Sequence, residues 1–165
     1  MTLADLNASD RDGFVAAIGW IFELSPWAAE RAWDHRPFTS LNDVHRAMVA
    51  AVSAAHAKEQ LALLRAHPDL GSRVRMTDAS TSEQAGAGLD SLTVEEFERL
   101  QQLNRAYREK FGFPFLFAVK GSTKHDVLVA LATRLPATPD EEFAEALRQV
   151  YRIAWFRLQD VVNVS

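Results

Sequence analysis

Apolar residues recur along this chain at intervals of three and four, the spacing that lines one face of an α-helix. Phe14, Ile18, Ile21 and Phe22 form the first such face, with Ser9 as its expected cap. Ser25-Pro26 reads as a cap followed by proline at the first helical position, opening a short helix to about Trp33. Ser40 opens an alanine-rich stretch with Leu41, Val44, Met48 and Val52 at helical spacing, continuing through Leu61 and Leu64 toward Ala66. Thr93 to Glu96 (TVEE) is a capping-box pattern ahead of Phe97, Leu100, Leu103 and Tyr107, and Gly112 is placed to end that helix. Thr138 to Glu141 (TPDE) launches a long helix whose stripe runs Phe143, Leu147, Val150, Ala154, Arg157, Val161. No strand alternation, repeat or flexible linker competes with this pattern. The expectation is an all-α, single-domain, bundle-like fold of about seven to eight helices over residues 1–165.

Composition narrows the function classes. The 165 residues are 48% hydrophobic and 24% charged with a formal net charge of -4, which supplies no basic footprint for nucleic acid. The absence of cysteine excludes disulfides, thiolate zinc sites and a thiol nucleophile, and it suits a reducing cytosol. No basic leader, secretory apolar run or membrane-length stretch is visible, and the final Asn163 to Ser165 is not a peroxisomal tripeptide. A cytoplasmic location with no membrane partner is expected.

Three polar features sit where packing gives little reason for them. His67 stands at a helix exit fixed by Pro68, where it either caps the preceding helix or presents an imidazole that titrates near neutrality. Glu83 closes the pattern Ser80-Thr81-Ser82-Glu83, so it either bonds back to Ser80 as a capping box or faces a ligand. Gln84 follows it, and Gly86 and Gly88 suit either a helix-terminating turn or a close approach of chain to ligand. Arg157 projects from an apolar stripe and therefore needs a carboxylate, carbonyls or an anionic ligand, unless its head escapes to water. The remaining histidines show no metal-ligand spacing, and neither a dinucleotide fingerprint nor a phosphate loop is present. In the aromatic run Phe111 to Phe117, Gly112 and Pro114 interrupt any helix and leave main-chain groups needing partners, which a small polar heterocycle can supply.

Taken together, the blocks FELSPWAAERAW (22–33), HPDLG (67–71), the SEQAGAGLD segment (82–90), LNxxYxxKFGFPFLFAVKG (103–121) and RIAWFRLQD (152–160) resemble 2-oxo-4-hydroxy-4-carboxy-5-ureidoimidazoline (OHCU) decarboxylases. The ordered blocks span nearly the whole chain. The resemblance implies an all-α homodimeric enzyme of urate degradation that releases CO2 and yields S-allantoin without metal or organic cofactor. It places the catalytic histidine at His67. Substrate contacts fall on Pro68, on Ser80, Thr81, Ser82, Glu83 and Gln84, on Phe115, Leu116, Phe117, Ala118 and Val119, and on Arg157. Some relatives are fused to the preceding pathway enzyme, so a separate hydrolase is the expected metabolic partner.

The chemistry suits these residues. The substrate carries its own electron sink, a carbon–nitrogen double bond beside the carbon that loses CO2. The protein must orient the carboxylate, handle the hydroxyl proton and deliver one proton to one face. His67 is the expected general acid/base, with Glu83 polarising it or bonding the substrate hydroxyl. Gln84 and the main chain of 117–119 are expected to bond ring and ureido amides, while Arg157 holds an oxygen or pairs with Glu83. Two rivals stand beside this reading: a helical interaction module using Trp20, Trp27 and Trp33, and a lyase acting on a related ureido or purine-derived substrate.

Overall fold

The computed structural model describes residues 1–72 and 76–163, so Val164 and Ser165 of the C-terminal tripeptide lie outside the described residues. The described residues form nine α-helices and two 3-10 turns with no strand, an all-α fold. They divide into two compact units, Met1–Ala66 with Tyr151–Ser165, and His67–Val150. None of the helices is long and apolar enough to cross a membrane among the described residues.

In the first unit, α1 (Leu3–Ala8) opens on a reciprocal capping box between Thr2 and Asp5 that the apolar pattern does not reveal. Helix α2 (Arg11–Ile18) is capped by Asp10, whose carboxylate accepts from Gly13 N–H at 2.8 Å. The expected cap Ser9 instead ends α1, and its hydroxyl donates to the Asp5 carbonyl. Ile21 and Phe22 lie beyond α2, in and after a 3-10 turn over 19–21, yet both are buried. Helix α3 (Trp27–Ala32) starts one residue later than expected. Pro26 holds the cap position, and the Ser25 hydroxyl donates to the Glu23 carbonyl rather than capping.

Ser40 does cap α4 (Leu41–Ser53), but the alanine-rich stretch is two helices, α4 and α5 (Ala57–Ala66). The break has a visible cause: the Gln60 side chain donates to the Val52 and Ser53 carbonyls, satisfying the end of α4. Helix α3 packs on α2 and α4. Phe14, Ile18, Val44, Met48 and Val52 are at most 1% exposed. Each contributes on the order of 1.5–3 kcal/mol by leaving water.

The second unit holds α6 (Asp78–Gly86), α7 (Val94–Phe111), α8 (Lys124–Arg134) and the first half of α9 (Pro139–Val161). Thr93 and Glu96 make the expected capping box, and Gly112 ends α7 in the left-handed region. Thr138 and Glu141 bond reciprocally at the start of α9. Helix α8 was not legible as apolar periodicity; it opens on a Thr123–Asp126 capping box and packs on α7.

Candidate active site

His67 is 6% exposed and begins the short loop that leads from α5 toward α6. Pro68 removes one main-chain donor and fixes its own φ. The chain then reverses, with Ser72 N–H donating to the Asp69 carbonyl at 3.1 Å and Gly71 at φ +73°. That is a type II arrangement, which demands glycine at its third position. A Cβ at Gly71 would also collide with Leu100 Cδ2. Three side chains hold the turn. Gln84 Oε1 accepts from Gly71 N–H at 2.8 Å, Asn104 Nδ2 donates to the Leu70 carbonyl at 2.9 Å, and Arg108 pairs with Asp69 at 3.1 Å.

Helix α6 changes the reading of Glu83. The helix begins at Asp78, and its cap is Thr77, whose hydroxyl accepts from Ser80 N–H at 3.3 Å. Glu83 therefore lies inside the helix, and the expected Ser80–Glu83 capping box is replaced by one cap three residues earlier. Of the five candidate contacts here, Ser80 and Gln84 are buried, Glu83 is half-buried, and Thr81 and Ser82 are exposed. Positions 80, 83 and 84 share one helical face. The Thr81 hydroxyl turns back to the Thr77 carbonyl. Of the two readings of the glycines, the terminating turn holds: Gly88 has φ +80° and Leu89 N–H returns to the Gln84 carbonyl, while a Cβ at Gly86 would meet nothing.

The segment after α7 follows no regular structure through 114–119. Phe115, Leu116, Ala118 and Val119 are buried, and the half-buried Phe117 stacks on Phe115 at 6.1 Å. Arg134 donates to the Leu116 carbonyl at 2.6 Å and lies over the Phe115 ring, while Gln149 Oε1 accepts from Ala118 N–H at 2.9 Å. The Val119 carbonyl accepts from Ser122 N–H. Among the described residues, the N–H and carbonyl of Phe117 and the N–H of Val119 have no hydrogen-bond partner. Two donors and an acceptor are thus left available beside the Leu116 carbonyl, the Ala118 N–H and the Val119 carbonyl, which are tied down.

Helix α7 supports both loops. Asn104 holds the His67 turn, and Tyr107, three residues on and hence on the same face, packs edge-on against Phe115 at 5.3 Å. The Tyr107 hydroxyl donates to Glu142 at 2.6 Å, and Arg134 pairs with the same carboxylate. Burial, reinforced by the bond to Glu142, pushes the Tyr107 phenol well above its ordinary range. Asn104, Arg134, Glu142 and Gln149 were not singled out from the sequence. Three of them had a signal of the kind that exposed Arg157, a polar residue within an apolar stripe: Asn104 between Leu100 and Tyr107, Glu142 and Gln149 beside Ala146 and Val150.

Arg157 belongs to the first unit and is 4% exposed. Its guanidinium pairs with Glu23 Oε2 at 2.8 Å and donates to the Ile21 carbonyl at 3.3 Å, so a carboxylate and carbonyls meet its needs. The carboxylate is that of Glu23, in the FELSPW block. The next residue, Leu24, has φ +46° and is 71% exposed, a backbone state that costs a non-glycine residue about 1–3 kcal/mol. Of the three tryptophans in the rival reading, Trp27 and Trp33 lie half-buried under Arg31 and Arg36, and only Trp20 is exposed. No group of three or more metal-binding side chains occurs among the described residues.

The family model described as OHCU decarboxylase matches residues 7–159. The chain is 49% identical over 160 residues to a 2-oxo-4-hydroxy-4-carboxy-5-ureidoimidazoline decarboxylase of Haloferax volcanii, covering 97% of this chain and 95% of that protein. It is 47% identical to a uric acid degradation bifunctional protein of Bacillus subtilis, covering 98% of this chain and 33% of the larger protein. A crystal structure of (S)-allantoin synthase superposes with a TM-score of 0.84 at 36% identity, over 100% of this chain and 55% of the other. The sequence blocks, the helical fold and these likenesses agree: the chain belongs to the OHCU decarboxylase family.

Proposed function

We propose that this protein decarboxylates OHCU to S-allantoin, with His67 as general acid/base. The observation that carries the assignment is the buried His67 imidazole on a turn gripped by Gln84 and Asn104, in the unit that also presents unpaired main-chain groups at Phe117 and Val119. In the reaction, the carbon–carboxylate bond breaks, CO2 leaves, and its electron pair forms a carbon–carbon double bond as the adjacent carbon–nitrogen π pair shifts onto the nitrogen, which takes a proton from solvent. The hydroxyl proton is then lost as the enol-like intermediate becomes a carbonyl, and one proton is delivered to the neighbouring carbon from a single face. His67 performs these transfers, and such a group contributes about 10²–10⁴ in rate. Glu83, on the inward face of α6, orients the imidazole or bonds the hydroxyl. With its oxygen committed to Gly71, Gln84 offers its NH2 group to a substrate carbonyl. Pro68, Ser80 and the Phe115–Val119 segment shape the rest of the site. Because the substrate carries its own electron sink, the reaction needs no cofactor. The protein works as a cytoplasmic homodimer.

The test uses intermediate generated freshly from urate, with allantoin followed by circular dichroism. Rapid growth of a single-enantiomer signal, lost in His67→Ala, is the expected result. Slow racemic product at the spontaneous rate would overturn the assignment.

A further inference from the structure

We propose that Asn104 is a positioning residue that sets the His67 loop by locking one peptide group. This rests on the reading of His67 as the proton-transfer residue. The Leu70 carbonyl and the Gly71 N–H are the two poles of a single peptide unit, and each is held by a different buried amide. Asn104 Nδ2 takes the carbonyl at 2.9 Å and Gln84 Oε1 takes the N–H at 2.8 Å. That peptide is the central one of the turn closed by Ser72 N–H on the Asp69 carbonyl.

The central peptide of a β-turn is the group that rotates when type II converts to type I, and the conversion reverses its carbonyl and N–H. Glycine at the third position permits both forms. Gly71 therefore does not choose between them, although it occupies the positive-φ form at +73°. The choice falls to the two amides, one from α6 and one from α7. His67 lies three positions before Leu70, so loss of the Asn104 bond removes one anchor of the loop that positions the imidazole.

Asn104 carries a mark of this role. It is 4% exposed, and its Oδ1 is buried with no hydrogen-bond partner among the described residues. An unmet buried carbonyl is destabilising, and leucine on this stripe between Leu100 and Tyr107 would avoid it. What leucine lacks is the N–H that holds Leu70.

The experiment compares Asn104→Leu and Asn104→Ser with His67→Ala, using freshly generated OHCU. The expected result is that the Asn104 variants fold, keep KM within about threefold, lose about 10²-fold in kcat, as an ångström-scale misplacement does, and give allantoin of reduced enantiomeric purity. Nitrogen-15 relaxation dispersion would show new exchange at the Gly71 amide, which a purely structural amide would not produce. A folded Asn104 variant with wild-type kcat and a quiet Gly71 amide, beside an inactive His67→Ala, would overturn the lock alone. Normal turnover by His67→Ala would instead remove the reading on which it rests.

Discussion

Arg157 and Glu23 face each other at 2.8 Å with exposures of only 4% and 2%, a buried ion pair drawn from two distant blocks of sequence. Removing one partner takes a buried charge-assisted bond from the other. Glu23→Gln is expected to cost about 3–5 kcal/mol, whereas the double replacement Glu23→Leu with Arg157→Met should cost less than that single change. Urea denaturation of the two variants checks both values. A Glu23→Gln loss below about 1 kcal/mol would mean that the pair contributes little to folding.

Gln149 acts on the 115–119 segment through the main chain. Gln149→Met leaves the buried Ala118 N–H unpaired, at about 1–3 kcal/mol, and loosens the peptides on either side of it. The expected kinetic signature is a rise of about tenfold in KM with kcat nearly unchanged, the pattern for a lost binding contribution common to ground and transition states. Gln149→Glu keeps an acceptor for Ala118 N–H but sets a second carboxylate beside Glu145, so KM should recover as that pair takes up a proton in acid. Equal kinetic damage in the two variants at every pH would discard the explanation.

Acid sensitivity has a named contributor in Glu96. Its bond from Lys124, together with that from Thr93 N–H, holds the folded carboxyl down at about 2, against 4.5 ordinarily. A depressed folded value stabilises the fold above the unfolded pKa and loses that contribution as pH falls from about 4.5 toward 2. Glu96→Gln should therefore lower the urea midpoint at pH 7 and leave it nearly unchanged at the acid end of that window. Parallel losses at both ends would contradict the linkage.

Gly71→Ala tests the turn by a second route. Alanine is strained at φ +73°, and its Cβ collides with Leu100, so a loss above about 1 kcal/mol is expected. Activity per folded molecule should fall with it, as measured by turnover below the melting transition. Full activity would show that the turn tolerates displacement.

How much of this was legible follows from which signals are local. The Thr93 and Thr138 caps, the Gly112 stop and the irregular FGFPF run depend on neighbouring residues alone, and they stand where the sequence placed them. Arg157 was visible because the stripe around it was placed well. The same helix hid Glu142 and Gln149, since centring its first half on Phe143 and Leu147 turned the buried face by one position. Ser80 misled for another reason. Thr77, Asp78 and Ser80 to Ser82 are all capable caps, and the choice among them is made by packing of the finished helix. The grip on the Leu70–Gly71 peptide joins groups 13 and 34 residues apart, a pairing that no window of sequence contains.

The side chains that grip the His67 turn and the 115–119 segment at the main chain, Gln84, Asn104, Gln149 and Arg134, keep the same charge from mildly acidic to mildly alkaline water. None of these four grips therefore changes its charge across that range. A pH–rate curve taken within it would report the proton inventory of the reacting groups with these four contacts unchanged.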